Sequence, residues 1–128
     1  MKILVIEDTP ELLELLAIIL RASGHQAITA NNGVEGLTAA RSELPDLIVA
    51  DLEMPLMDGF ELLRHLKADP LLSSRPVIAL TACAMLGDRE RVLAAGFSGY
   101  LSKPIRAKDL MPQIAAIVPD LAAISAQV

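Results

Sequence analysis

The chain has no tryptophan, one tyrosine and two phenylalanines. Aromatic packing therefore cannot organise its interior, which must be built from Leu, Ile, Val and Ala, as in proteins whose parallel strands are buried on both faces. Cys83 is its one cysteine, so no internal disulfide is available, which suits a reducing compartment. Basic clusters are missing too. Eleven Lys and Arg stand against 16 Asp and Glu, a net charge of −5, without the positive footprint of a nucleic-acid binder. The apolar run Ile3–Ile6 stops at two acids, too short for a signal peptide or a membrane span. These absences point to a cytoplasmic chain with neither a membrane nor a nucleic acid as partner.

What is present is a high apolar content, 53% of 128 residues. A chain of this length suits one domain and can bury about two-thirds of its unfolded surface without a disulfide or metal. We place that domain at residues 1–120, followed by a tail at 121–128. Short β-branched runs at 3–6, 46–50 and 76–80, with weaker ones at 26–30 and 99–103, read as strands. Between them, helical periodicity runs over about 10–22, 34–43, 59–67, 88–95 and 107–118. Strand and helix alternate throughout, which predicts an α/β fold, a doubly wound parallel sheet with helices on both faces. Thr9 suits an N-cap with Pro10 at the first helical position. Gly24 and Gly96 mark helix ends, and Asn31-Asn32-Gly33 a turn. Pro112 sits awkwardly inside the last helix unless Asp109 caps it, so that helix should start late or kink in its first turn.

In an open sheet of this kind ligands bind beyond the carboxyl ends of the strands. Glu7 and Asp8 follow the first strand, Asp51 ends the third, Thr81 ends the fourth and Lys103 lies near the end of the fifth. Three carboxylates close together repel strongly, by about 4 kcal/mol per pair at 4 Å and an effective dielectric near 20. They call for a cation, and oxygen ligands without His or Cys select Mg²⁺ or Mn²⁺. A carboxylate beside such a cation can attack phosphorus, with the Lys ammonium and Thr hydroxyl stabilising the phosphoryl oxygens.

The segments VIEDTPE (5–11), DLEMPLMDGFELL (51–63), TACAMLGD (81–88) and GYLSKPI (99–105) resemble the receiver (CheY-like) domains of two-component response regulators, over nearly the whole chain. The resemblance, not the periodicity, implies strand order 2-1-3-4-5 and five helices. It further implies that Asp51 takes a phosphoryl group from a phosphohistidine donor, either a sensor histidine kinase or a histidine phosphotransfer domain. Asp8, Asp51 and the main-chain carbonyl of Glu53 would hold Mg²⁺ (or Mn²⁺), with Glu7 acting through water. Thr81 and Lys103 would contact the phosphoryl group, and Lys103-Pro104 would be the family's cis peptide. Tyr100 would be the switch aromatic of an output face made by the fourth helix, fifth strand and fifth helix, where a downstream protein is met. Such a chain is a phosphorylated signalling switch that catalyses only its own phosphorylation and dephosphorylation. Glu53 and Cys83, two after Asp51 and Thr81, stand where the family tunes phosphoryl lifetime.

Blander readings apply elsewhere. Asp58-Gly59 reads as a turn and helix start, Met54, Met57 and Met85 as packing residues, Cys83 as a small apolar residue, and His25 and His65 as surface residues. Two other classes compete for the site. A haloacid-dehalogenase-type phosphohydrolase wants a second Asp two after the nucleophile, where this chain has Glu53. A flavodoxin-like module wants Ser, Thr and Gly after the first strand, where Glu7-Asp8 would repel a phosphate. One feature stands apart from the motifs. Between Leu12 and Leu20 only Glu14 and Ala17 interrupt Leu and Ile, a wider apolar face than one sheet contact needs. Part of it should stay exposed beside Asp51 and dock a helical phosphodonor, at Leu13 or Leu15.

Overall fold

Five short aliphatic runs become strands, and the amphipathic segments between them become helices. The computed structural model describes residues 1–82 and 88–119. In chain order the elements are β1 (Lys2–Ile6), α1 (Pro10–Ala22), β2 (Gln26–Ala30), α2 (Gly33–Glu43), β3 (Leu47–Asp51), α3 (Gly59–Ala68), β4 (Val77–Thr81), α4 (Asp88–Ala95), β5 (Gly99–Ser102) and α5 (Ala107–Ile117). The strands form one parallel sheet in the order β2-β1-β3-β4-β5. The periodicity-based bounds hold to within a residue or so, because central strands covered on both faces read as unbroken apolar runs. Every residue of β3 and β4 is buried.

Alternate strand residues point to opposite faces, and two cores result. On one face Ile3, Val5, Val49, Ile78, Leu80 and Leu101 pack under α1 and α5. On the other, Leu4, Ile6, Ile48, Ala50, Val77 and Ala79 pack under α2, α3 and α4. Helix α1 buries Leu13, Leu16, Ala17 and Leu20, one stripe at helical spacing. That leaves Leu15 38% and Ile18 54% exposed, while Leu13 at 7% is excluded as a contact for any partner. The surplus apolar surface is real, and it sits at Leu15 and Ile18.

The local signals hold with three exceptions. Asn32 and Asp58 cap α2 and α3 by accepting hydrogen bonds from the backbone N–H of Glu35 and Glu61, both at 2.9 Å. Gly24 and Gly96 take positive φ past the ends of α1 and α4. Thr9, however, occupies the N-cap of α1 without a side-chain capping bond; its backbone N–H donates instead to Glu7 Oε1 at 3.3 Å. Helix α5 does not start late: Arg106 is its N-cap and Pro112 lies inside it. The amide that Pro112 lacks would have paired with the carbonyl of Lys108, and both residues face solvent, where water can take that carbonyl. His25 is not a surface residue. It is 6% exposed, tucked behind the Gly24 turn with its Nδ1 3.1 Å from the α-amino group of Met1, which donates to it. His65 is exposed as expected. Cys83, Met85 and the tail at 121–128 lie outside the described residues.

Candidate functional site

Strand register assembles the site. Ile6 pairs with Ala50, so the next residues, Glu7 and Asp51, stand level on neighbouring strands about 4.8 Å apart. Asp51 pairs with Leu80, and Thr81 with Ser102. Thr81 and Lys103 are therefore each one step further toward the same edge. The strand order also reverses between β1 and β3, where α1 leads to one side and α3 to the other. That divergence opens a crevice above their carboxyl ends. Sequence reasoning placed five groups on this edge, and the fold brings them together.

Asp51 is 3% exposed and both of its carboxylate oxygens are held. Oδ2 accepts from Lys103 Nζ at 2.9 Å, and Oδ1 from the backbone N–H of Glu53 at 3.2 Å. Lys103 reaches this point because its own N–H donates to the carbonyl of Thr81 at 2.8 Å, extending the β4–β5 ladder by one residue. Its peptide bond to Pro104 is cis. The ammonium also donates to Glu7 Oε1 at 3.2 Å and lies 3.1 Å from Oε2. Glu7 is fully buried. Burial first, and the charge of Asp51 second, raise its carboxyl above the ordinary value of 4.5, against the opposing pull of Lys103. Burial works to lower the Lys103 ammonium, but its bonds to Asp51 and Glu7 outweigh that and raise it.

Asp8 is exposed at the start of the β1–α1 loop. Oxygens of Glu7, Asp8 and Asp51 all lie within 4.8 Å of one another. Glu7 Oε2 is a buried carboxylate oxygen with no hydrogen-bond partner among the described residues. A hard divalent cation fits this set: the ligand atoms are all oxygen, they are negatively charged, and Glu7 Oε2 is buried with an ion-pair contact to Lys103 but no hydrogen bond.

Beside this cluster, toward α3 and α4, lies a cavity of about 580 Å³ whose lining includes Glu53, Met54, Pro55, Asp58, Thr81 and Arg91 but none of the three carboxylates. Met54 and Met57 pack against the second core, as packing residues should. Gly59 matters here because a Cβ on it would stand 2.7 Å from the carbonyl oxygen of Asp51; only glycine lets α3 begin against that residue. Tyr100 lies away from the carboxylates. It is half-buried on β5 and lines a groove with Arg89, Leu93, Gln113 and Ile117, between α4 and α5. Sequence reasoning missed the Glu53 N–H bond to Asp51 and the Arg91 guanidinium 4.8 Å over the Phe60 ring at the cavity wall. The first carries no side-chain signal, and the second joins two helices far apart in the chain.

The response regulator receiver domain model matches residues 3–115. The polar-differentiation response regulator DivK of Brucella anthropi is 38% identical over 118 residues, 92% of this chain and 96% of that protein. Among solved structures, the chemotaxis response regulator CheY4 of Vibrio cholerae superposes with a TM-score of 0.87 at 26% identity, covering 91% of this chain and 98% of that one. The receiver domain of the sensor histidine kinase PA1611 of Pseudomonas aeruginosa gives 0.82 at 31% identity, over 92% and 97%, and carries a magnesium ion in its active-site cleft. A phosphohydrolase reading finds no support among these relatives. The sheet order, the carboxylate cleft closed by a strand-end lysine, and these matches agree: the chain belongs to the response regulator receiver domain family of two-component signal transduction.

Proposed function

We propose that Asp51 is the phosphoacceptor, taking its phosphoryl group from a phosphohistidine on a sensor histidine kinase or a histidine phosphotransfer domain in a phosphorelay. A carboxylate oxygen of Asp51 attacks phosphorus, the P–N bond breaks, and its electron pair stays on the imidazole, which takes up a proton. One observation carries this reading. Asp51 is buried at the crevice with Oδ2 on an ammonium and Oδ1 on a backbone N–H, an anion-holding arrangement suited to phosphoryl oxygens. Mg²⁺, or Mn²⁺ in its place, would be held by Asp8, Asp51 and the Glu53 carbonyl, with Glu7 reached through water; it would supply charge neutralisation for the incoming phosphoryl group. Lys103 and the Thr81 hydroxyl hold the remaining phosphoryl oxygens. The chain acts as a switch, catalysing only its own phosphorylation and dephosphorylation.

The phosphoryl group adds a charge of roughly −1.5 to −2. We infer that Thr81 moves toward it and Tyr100 follows, altering the α4–β5–α5 face that a downstream protein reads. The exposed Leu15 and Ile18 of α1 dock the phosphodonor. Residues 1–120 make up this unit, with 121–128 a tail. No described helix is long and apolar enough to cross a membrane, and with an acidic surface charge we take the setting as cytoplasmic, with no nucleic acid as ligand. The test is labelling by acetyl phosphate with Mg²⁺. Wild type should form a hydroxylamine-labile acyl phosphate and Asp51→Asn none; equal labelling of both would overturn the assignment.

A further inference from the structure

Away from the acidic cleft, the groove between α3 and α4 has the opposite character. Phe60, Leu63, Arg64, Lys67 and Ala95 line a cavity of about 300 Å³ there. Its floor is apolar: Leu63 is buried, and Phe60 packs edge-on against the buried Phe97, ring centres 5.7 Å apart. Its rim is cationic. Arg64 and Lys67 are both exposed, and neither enters an ion pair among the described residues, whose ion pairs involve Lys2, Arg41, Arg75 and Lys103. Lys67 donates to the carbonyl of Ser73 at 3.2 Å, and Arg91, which lines the neighbouring cavity, covers the Phe60 ring at 4.8 Å. Two cations thus border one apolar hollow on a chain whose net charge is −5.

We propose that this α3–α4 groove is a second protein-docking site, which takes an acidic segment of a partner and seats one aromatic or large aliphatic side chain of it in the hollow. The chemistry selects that occupant. A hollow this small holds a single apolar anchor, and basic rims recognise acidic motifs. Arg64 and Lys67 stand about 4.5 Å apart along α3 at 1.5 Å per residue, beside the apolar floor, so they suit acids that flank an apolar anchor in a peptide. The groove is separate from α1 and from the Tyr100 groove, so it would be available whether or not those faces are engaged.

The probe is a random dodecapeptide library displayed on phage and selected on the immobilised full chain, followed by anisotropy titration of the recovered peptides. Acidic peptides with an aromatic or large aliphatic residue should be recovered. Their affinity should fall about ten-fold or more in Arg64→Glu/Lys67→Glu, which reverses both rim contacts. It should fall comparably in Ala95→Phe, which fills the hollow without changing charge. Added salt should weaken binding to wild type. Far-ultraviolet circular dichroism and acetyl phosphate labelling of Asp51 should be unchanged in both variants; were either to unfold, Arg64→Gln/Lys67→Gln replaces it. Recovery of no peptides, recovery of peptides without acids, or affinities that ignore the variants would overturn the proposal.

Discussion

Lys103 Nζ stands 2.9 Å from Asp51 Oδ2, and the same ammonium is the hydrogen-bond donor to Glu7 Oε1 at 3.2 Å. One cation therefore serves two buried carboxylates that would otherwise repel each other across neighbouring strands. Breaking a buried pair leaves an uncompensated charge. Lys103→Met should cost roughly 3 kcal/mol, the low end for such a loss, because the Lys103 side chain is itself 23% exposed. Glu7 has a raised pKa, so its protonated form is favoured in the fold. That contribution is fully present below the ordinary value of 4.5 and lost as pH rises through the folded value. The deficit of the variant should accordingly be largest at neutral pH and shrink toward pH 4.5. Added MgCl₂ should restore part of it by binding the folded state. Urea melts of both proteins across pH, with and without Mg²⁺, check this; a deficit that grows on acidification would contradict it.

Gly59 and Gly24 offer a controlled comparison. A Cβ at Gly59 would meet the Asp51 carbonyl oxygen at 2.7 Å and Leu52 Cα at 2.8 Å, both backbone atoms that cannot turn aside. Gly59→Ala should cost about 1–3 kcal/mol through overpacking and should slow acetyl phosphate labelling, since Asp51, the proposed acceptor, must shift. Gly24 has φ of +91° with nothing within 4 Å of a Cβ. Gly24→Ala should therefore lose about 1–2 kcal/mol to left-handed strain alone, and label at the wild-type rate. Equal labelling by the two variants would detach Gly59 from the site.

His25 supplies a pH dependence of the opposite sign to that of Glu7. Burial, and then the charge of the Met1 amino group, lower its pKa below the ordinary 6.5. The neutral ring is favoured in the fold, so its contribution is complete above pH 6.5. It is lost as pH falls from there through the folded value, because the unfolded chain takes up the proton first. His25→Gln should flatten that part of the stability profile. Chemical denaturation of both proteins at intervals between neutral and pH 5 measures the difference, and parallel profiles would remove His25 as its source.

The burial of His25 also shows where the sequence stopped being legible. Strands and helices could be read because each carries its period within a few residues: β3 and β4 as unbroken aliphatic runs, α1 as the Leu13, Leu16, Ala17 and Leu20 stripe. The site residues could be read because strand ends in a parallel sheet share one edge. What could not be read depends on contacts far apart in the chain. His25 is covered by Met1, 24 residues earlier; the partners of Lys103 lie 52 and 96 residues away; Arg91 finds Phe60 only once α3 and α4 pack together. Pro112 failed as a boundary marker for a related reason. Its missing bond faces water, so propensity was overridden at little cost.

Helical phase decides between Leu13 and Leu15 as a docking contact. Leu13 is 7% exposed and belongs to the first core, so a polar residue there would unfold the helix contact and say nothing about docking. Leu15 and Ile18, 38% and 54% exposed, are three residues apart and share a face of α1, the helix that begins just after Asp8. A contact through them would bring a helical phosphodonor to the rim of the crevice, whereas acetyl phosphate needs no such surface to reach Asp51. Leu15→Gln and Ile18→Gln should each shift stability little, within about 0.5 kcal/mol as for surface positions generally. The double variant should slow phosphoryl transfer from a phosphorylated histidine phosphotransfer domain about ten-fold, the loss expected from two apolar contacts worth roughly 1.4 kcal/mol together. Labelling by acetyl phosphate should keep its wild-type rate. Single-turnover transfer followed by radiolabel separates the outcomes: equal slowing with both donors would mean the helix positions Asp51 rather than the partner, and no slowing with either would leave this face without a role in transfer.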